Sequence, residues 1–323
     1  MRAARGPITL ISLASSACSA MLGIDLPDPP EHEAGVLIHA TAEGPSADGG
    51  LALQPSPYAW ARWPMPDGTP EGSYPRAYSS PVEGVVRDDV TKLEWQAGTD
   101  STPRSWLDAE TYCAALTVDG GGFRLPARIE LVSLLALDQN SESDELEAFP
   151  GFVADRYWSA SPLAGRAGTA WLVDFGFSGT NVLPVSIDEL HPVRCVRGGS
   201  QAQGSPFKAL SNGVRDAGTR LVWQTKSPDS TYDAAGAEAY CMGLATAEEL
   251  WRLPTLKELH SLVDETRAGP ALDQEAFAGE PSAYYWSATS LARFTDFHWA
   301  VDFGHGSDAW FAADSVHRVR CVR

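Results

Sequence analysis

Apolar residues at helical spacing predict a short amphipathic helix in the segment from Trp251 to Asp264. Its predicted buried face consists of Leu256, Leu259, Leu262 and Val263. Pro254 stands at the expected helix start, and Thr255 with Glu258 forms a capping box. The segment from Phe123 to Asp138 repeats this Arg-Leu-Pro phrase 128 residues earlier, with Ala127 in place of the capping Thr. The phrase therefore predicts a helix start and requires no chemistry.

A hairpin and a first helix are predicted before that phrase in each half of the chain. In the hairpins, at residues 86–96 and 214–224, apolar residues alternate after an Asp that can bond its own turn. Ser105 with Asp108 resembles a capping pair at the start of the first helix. The buried face of that helix is predicted from the spacing of Trp106, Ala109, Cys113 and Leu116.

A strand with period-two alternation follows the second helix in each half. One face of the first copy is predicted to carry Trp171, Val173 and Phe175, with Leu172 and Asp174 on the other. The second copy places Trp299, Val301 and Phe303 opposite Ala300 and Asp302. These tryptophans, together with Trp158 and Trp286, are expected to be structural core residues.

The chain is thus a tandem duplication of a whole domain, since solenoid repeats have much shorter periods. Matched segments are 86–96 with 214–224, 112–116 with 240–244, 157–161 with 285–289, 170–176 with 298–304, and 193–197 with 319–323. A two-residue deletion before the last strand is the one break in register. The predicted parts are a signal segment 1–18, a Pro- and Gly-rich tether 19–80, domains 81–198 and 207–323, and a linker 199–206. An aromatic arm within the tether is expected to pack against the first domain.

The cysteines divide into one N-terminal residue and one equivalent pair in each repeat. Cys113 and Cys195 correspond to Cys241 and Cys321. Four cysteines allow three connectivities, and the duplication favours a bridge within each repeat. The competing interpretation is a metal site, but no CxxC motif or clustered His accompanies these residues. We therefore expect two disulfides, with neither a metal ion nor a cofactor.

The first residues have the pattern of a bacterial export signal. Arg2 and Arg5 precede a short apolar stretch, and Ser-Ser-Ala-Cys at 15–18 resembles the lipobox of bacterial lipoproteins. Lipidation of Cys18 is expected, with plain cleavage and secretion as the alternative. The predicted location is the bacterial cell envelope, as an outer-membrane lipoprotein or at the cell surface.

Charge narrows the range of partners. The net charge is −18, which repels phosphate backbones and anionic membrane surfaces, so nucleic acid is not an expected partner. The sequence contains no run of 18 apolar residues, so contact with a membrane is expected through the lipid anchor only.

Taken together, these motifs resemble the Lcl C-terminal domain family, long regarded as a domain of unknown function. The shared pattern is an opening D-x-x-T-x-L-x-W-Q, then W-R-L-P-T-x-x-E-L, Y-W-S-A and a closing V-R-C-V-R, present twice with Phe123 and Ala127 as departures in repeat one. The resemblance implies an α+β fold with two tandem C-type lectin-like domains, each with two helices and a mainly antiparallel twisted sheet. It also implies a bridge from the first helix to the last strand, adjacent first and last strands, and glycan binding or adhesion at bacterial surfaces.

Candidate binding residues lie in repeat two. Trp310 and Phe311 follow a Gly-rich turn, at positions that align with Val182 and Leu183 of repeat one. His298 and His305 flank the Trp-x-Val-Asp-Phe-Gly strand. Core packing of the aromatic pair and exposed histidines near turns are the competing interpretations. Asp174 and Asp302 are expected to pair with an arginine of their own domain. The candidates for that structural pairing are Arg124, Arg252, Arg194 and Arg320.

These observations favour a non-catalytic module that binds a surface glycan or protein. The Glu-Pro-Asn and Trp-Asn-Asp triplets of calcium-dependent lectins are missing from the sequence. The alternatives are a structural or assembly component of the envelope, or an enzyme that uses repeat two. A pocket gathering His298, His305 and Asp302 would favour the enzyme.

Overall fold

The computed structural model describes residues 53–66, 74–100, 102–137, 148–176, 181–201, 204–246, 249–292 and 294–323. All of them belong to one compact unit, Glu43–Arg323. The predicted signal segment with Cys18, and the tether up to residue 52, lie outside the described residues. Among the helices of the described part, none is long and apolar enough to span a membrane.

Repeat one folds into two antiparallel sheets and two α-helices. Its elements are β1 (Tyr78–Val82), β2 (Val85–Asp88), β3 (Glu94–Gln96), α1 (Trp106–Ala115), α2 (Arg128–Leu134), β4 (Arg156–Pro162), β5 (Thr169–Asp174), β6 (Val182–Ser186) and β7 (Val196–Arg197). One sheet has the order β1-β2-β3-β7, and the other has the order β4-β5-β6. The closing strand β7 therefore lies beside the opening hairpin.

Repeat two follows the same plan. Its elements are β8 (Phe207–Leu210), β9 (Gly213–Asp216), β10 (Val222–Trp223), α3 (Ala234–Gly243), α4 (Leu256–His260), β11 (Tyr284–Leu291), β12 (Phe294–Asp302) and β13 (Asp308–Ala312). The sheet orders are β10-β9-β8 and β11-β12-β13. The predicted α+β class, with two helices per repeat and antiparallel sheets, is confirmed.

The local signals in the sequence produce the expected turns and caps. Asp88 Oδ1 accepts hydrogen bonds from the backbone N–H groups of Val90 (2.8 Å) and Thr91 (3.1 Å), which fixes the hairpin turn. Asp216 does the same in repeat two. Ser105 caps α1 by accepting from the N–H of Asp108.

The second helix is shorter than its apolar stripe predicts. In repeat two α4 ends at His260, yet Leu262 and Val263 remain buried in the core. The chain leaves the helix because Val263 forms a β-bridge with Leu272, and the next N–H, of Asp264, bonds the carbonyl of Ala271. Tertiary pairing thus ends the helix before its apolar pattern does.

The central strand of repeat one is buried on both faces along its length, and that of repeat two is buried on both faces over residues 299–301. In β5, Trp171 and Val173 pack in one core cluster and Ala170 and Leu172 in another. In β12, likewise, Trp299 and Val301 pack in one core cluster and Ala300 packs in another. The predicted alternation is confirmed, and Trp158 and Trp286 are fully buried in the second cluster of their own repeat.

The expected disulfides join Cys113 to Cys195 and Cys241 to Cys321. Each bridge links the first helix of its repeat to the closing residues.

The aromatic arm is the stretch 58–78, of which residues 58–66 and 74–78 are described, and it contacts both repeats. Trp63 and Met65 enter the core of repeat one. Trp60 packs edge-on against Phe207 at the start of repeat two, with ring centroids 5.3 Å apart. A Cβ on Gly218 would lie 2.0 Å from the carbonyl oxygen of Ala61, so the arm requires a glycine at that turn.

Removal of either disulfide is expected to destabilise its repeat by about 4 kcal/mol, because each bridge closes a loop of similar length. The sequence separations are 82 and 80 residues. Urea unfolding of the C113S/C195S and C241S/C321S variants measures this, with the two losses expected to be similar. Free thiols in the unfolded, unreduced protein would contradict the pairing.

Candidate functional site

The Arg-Leu-Pro phrase forms a closed capping unit in both repeats. Arg124 makes a bidentate ion pair with Glu130, at 2.7 and 2.6 Å, and Glu130 Oε2 also accepts from the N–H of Ala127 at 2.8 Å. Arg252, Glu258 and Thr255 repeat these contacts. The arginine therefore places a carboxylate over the helix N-terminus, where negative charge is stabilising.

The backbone of the same arginine also closes the domain. Arg124 exchanges two hydrogen bonds with Val196 of β7, and Arg252 exchanges two with Val322. The phrase thus joins the second helix to the closing strand, which answers why it occurs once per repeat. The arginine and glutamate side chains of the phrase are therefore engaged in structural contacts.

Asp174 pairs with an arginine of its own domain, as the sequence predicts, but with none of the four candidate arginines, whereas Asp302 lies beside a histidine. Asp174 pairs with Arg156, which lies opposite it on β4, at 3.0 Å. Asp302 lies 3.6 Å from His305 Nδ1. Both carboxylates accept from the N–H of the glycine two residues on, at 2.7 Å. The pairing is local because each Asp ends its strand and turns its carboxylate toward the following loop.

Arg194 and Arg320 instead bond backbone carbonyls near the closing strand. Arg194 donates to the carbonyl of Gln96 at 2.6 Å, and its guanidinium lies 4.6 Å from the ring of Phe149. Burial lowers the pKa of Arg194. Arg320 in addition pairs with Glu280 at 2.9 Å.

Trp310 and Phe311 lie on opposite faces of β13. Trp310 is buried and meets Phe297 edge-on at 5.1 Å, so it belongs to the core. Phe311 is half-buried on the other face. The strand register pairs Val301 with Asp308 and Val173 with Val182. The equivalents of Trp310 and Phe311 in repeat one are therefore Pro184 and Val185. The alignment with Val182 and Leu183 is wrong, because repeat two lacks two residues in the hairpin before β13.

Phe311 belongs to a group of rings in repeat two. Its centroid lies 4.1 Å from that of His317 and 4.9 Å from that of Tyr284. His317 in turn stands edge-on to Trp286 at 4.7 Å. His298 pairs with Phe311 across the strands, and its ring lies 6.3 Å from that of Trp286. We call the partly exposed members of this group, with their neighbours in the 232 and 316 turns, the aromatic surface: Tyr232, Tyr284, Phe311, Val316 and His317.

The histidines near this surface are held neutral. Burial lowers the pKa of His317 to about 4 and also lowers that of His298. Neither His317 Nε2 nor His298 Nδ1 has a hydrogen-bond partner among the described residues. At neutral pH the aromatic surface therefore gains no positive charge from them.

His305 does not join the other candidates. It lies in the turn between β12 and β13, beside Asp302, whereas His298 lies four residues before Asp302 on β12. Four strand residues span about 13 Å. The three residues that would favour an enzyme are thus not in one pocket. Within the described ranges there is also no group of three His, Cys, Asp or Glu placed to hold a metal ion.

Sequence reasoning missed Tyr232, Tyr284 and His317. The equivalents of Tyr232 and Tyr284 in repeat one are Arg104 and Arg156. A search for motifs shared by the two repeats therefore does not find these tyrosines. His317 does recur, as His191, and His191 also stands edge-on to its tryptophan, Trp158, at 5.1 Å. A comparison of where the repeats differ would have found the tyrosines.

Fold and site together define a tandem-domain protein in which each α+β repeat is closed by a disulfide and a helix-capping arginine. The pattern that defines the Lcl C-terminal domain family matches residues 84–197 and 212–323, which is most of the chain. The protein belongs to that family and carries its domain twice. Comparison with curated proteins gives no match.

Acid is expected to weaken the protein partly through His317. Because the folded pKa of His317, about 4, lies below the ordinary histidine value of about 6.5, the unfolded chain binds more protons between these values. Stability contributed by the neutral ring is present above pH 6.5 and is lost as the pH falls toward 4. His317→Gln should reduce the loss of stability over that range, measured by thermal unfolding.

His191→Gln is the matched control, since His191 occupies the equivalent place and lies 3.3 Å from Glu189. It measures how much stability is lost when a histidine ring is removed from that place, so that the packing effect common to both substitutions can be subtracted. An unchanged profile for His317→Gln would show that the ring is not held neutral.

Proposed function

We propose that this protein is a non-catalytic binding module of the bacterial cell envelope that recognises a surface glycan or protein through repeat two. The observation that carries the proposal is the divergence of one surface between the repeats. Where repeat one has Arg104, Arg156 and Val185, repeat two has Tyr232, Tyr284 and Phe311. A copy that keeps the disulfide and the capping arginine but has aromatic rings in place of two arginines and a valine has the composition of a binding surface.

The chemistry of the aromatic surface favours an uncharged ligand. The surface combines partly exposed aromatic rings with two tyrosine hydroxyls, a combination that suits a sugar ring or an aromatic-rich protein patch. The neutral histidines add no cation, and the chain carries −18 overall. We therefore favour a neutral glycan over a sulfated one, within the C-type lectin-like fold that the family resemblance implies.

The two copies are not equivalent in this proposal. Two binding domains on one chain would raise avidity if both could engage the ligand at once. Since Tyr232, Tyr284 and Phe311 have no aromatic counterpart in repeat one, binding is assigned to repeat two and repeat one serves as support. The proposal also keeps the expected export and lipid anchor.

A structural or assembly role in the envelope is the second candidate. The observation that favours it is that the two repeats carry different side chains on the equivalent surface. They therefore share no site at which both could bind one ligand. The two functions differ in whether the isolated protein binds a defined glycan or surface protein.

Binding is expected to depend on Phe311. The full mature chain would be screened against neutral, sialylated and sulfated glycans and against envelope proteins, and the best hit would be titrated. Phe311→Ala should weaken that binding at least tenfold, because aromatic anchors dominate such interfaces, equivalent to about 1.4 kcal/mol or more. The neutral glycans should give the strongest signal.

Val185→Ala at the equivalent place in repeat one is the matched control and should bind like wild type. Near-ultraviolet circular dichroism checks that both variants keep their packing. If Phe311→Ala binds normally, the aromatic surface is not the site. Lack of any binding by the folded wild type would favour the structural role.

The lipid anchor is tested on protein purified from the membrane of the producing bacterium. The expected mature N-terminus is Cys18 carrying acyl chains, seen by mass spectrometry as a lipid-modified N-terminal peptide. An N-terminal peptide in which Cys18 is present and unmodified would refute the anchor. Secretion into the medium without lipid would favour the alternative of plain cleavage.

A further inference from the structure

The two repeats meet through their second helices, around a buried cluster of charged and polar side chains. α2 and α4 are in contact, although they occupy equivalent places in the two repeats. The charged members, which we call the interdomain cluster, are Arg128, His260, Glu265 and Asp308. All four are nearly inaccessible to solvent, with exposures of 0 to 3%.

Arg128 comes from repeat one and binds only groups of repeat two within this cluster. Its Nε lies 3.0 Å from Glu265 Oε1, and its Nη1 lies 3.0 Å from His260 Nδ1. The same Nη1 donates to the carbonyl of Gly306 at 3.3 Å. The guanidinium therefore fastens α2 to the end of α4 and to the β12–β13 turn.

Asp308 makes the reciprocal connection from repeat two. Its carboxylate accepts from the N–H groups of Asn181 (2.8 Å) and Val182 (3.0 Å) and from Asn181 Nδ2 (3.0 Å). It also lies 3.2 Å from His260 Nε2. A further bond runs from Lys257 Nζ to the carbonyl of Ser133 at 2.9 Å.

The cluster is specific to the order of these two repeats. The residues equivalent to Arg128, His260, Glu265 and Asp308 in the other repeat are Leu256, Val132, Leu137 and Val182. At each of these four positions, therefore, one repeat carries the charged or polar side chain and the other repeat carries an apolar one. An arrangement of complementary charges on otherwise apolar positions indicates that the interface is selected as a contact between repeats.

The state of His260 is fixed by its neighbours. Arginine is always a donor, so Nδ1 of His260 must be the acceptor and the ring proton must lie on Nε2, where it donates to Asp308. A second proton on Nδ1 would place two donors face to face and would bring two positive charges together. Protonation is therefore incompatible with the contact between Arg128 and His260.

We propose that the interdomain cluster is an acid-released lock, in which protonation of His260 separates α2 from α4 while each repeat stays folded. The arm contacts both repeats and the linker is covalent, so the opening is local and the repeats remain joined. The surface that opens is the one formed by α2, α4 and the β12–β13 turn. Acidification outside the cell is the signal that an exported protein would meet.

The acid response has contributions of opposite sign. Burial lowers the pKa of His260, as does the charge of Arg128, and this outweighs Asp308. The open state therefore takes up the proton as pH falls below 6.5, which favours opening. Burial raises the pKa of Glu265, so its protonation favours the closed state at lower pH. Glu130 faces Glu265, and Lys257 lies on α4 one turn before His260.

The experiment is hydrogen–deuterium exchange of the full chain at pH 7 and pH 5, corrected for intrinsic rates. His260→Gln keeps an acceptor toward Arg128 and a donor toward Asp308 but cannot titrate. Between these pH values a histidine that protonates only in the open state raises the opening constant by up to about 25-fold. Peptides covering α2 and α4 in wild type should lose protection by up to that factor relative to His260→Gln.

Two controls separate the lock from general acid unfolding. Peptides from β12 report on unfolding of repeat two and should stay protected at pH 5. His317→Gln removes another histidine whose pKa is lowered by burial and should leave the wild-type response of α2 intact. The proposal is overturned if wild type and His260→Gln lose the same protection at pH 5. It is also overturned if α2 exchanges only when β12 exchanges with it.

Discussion

Each repeat depends on how its closing residues are held. Cys195 is bonded through sulfur to α1, and its backbone pairs with Gln96 of the opening hairpin, whose side chain also bonds Tyr112 of α1. Val196 next to it pairs with Arg124 of the capping unit. The end of the domain therefore connects the hairpin, the first helix and the second helix. Cys321, Gln224 and Tyr240 repeat these bonds in the second copy.

Because this closure is duplicated almost bond for bond, it says little about what the protein does. The functional differences lie where the copies have diverged while the closure stayed constant. One such place is the aromatic surface, where tyrosines replace arginines. The other is the contact between the repeats, where charges replace apolar residues on alternate sides. Duplication here supplies an internal reference against which both changes stand out.

The sequence predicted the elements whose signals are local. Strand alternation, the capping pairs, the Asp turns and the intra-repeat disulfides all follow from residues close in sequence or from the duplication itself. It failed where tertiary contacts decide. Helix α4 ends at His260 because Val263 forms a β-bridge with Leu272. Asp174 pairs with Arg156 because the strand register places the two residues opposite each other. The interdomain cluster was not predicted, since Arg128 and Glu265 are 137 residues apart and resemble ordinary surface charges in the sequence.

Strand β13 shows how one element serves both surfaces without mixing them. Side chains alternate across a strand, so Asp308 and Trp310 share one face and Ala309 and Phe311 share the other. The first face meets the partner repeat and the core, through the bonds of Asp308 to Asn181 and the packing of Trp310 on Phe297. The second face carries Phe311 beside His317 and Tyr284. The face used for contact between repeats is thus unavailable to a ligand, and the opposite face of the same strand is the one that has become aromatic.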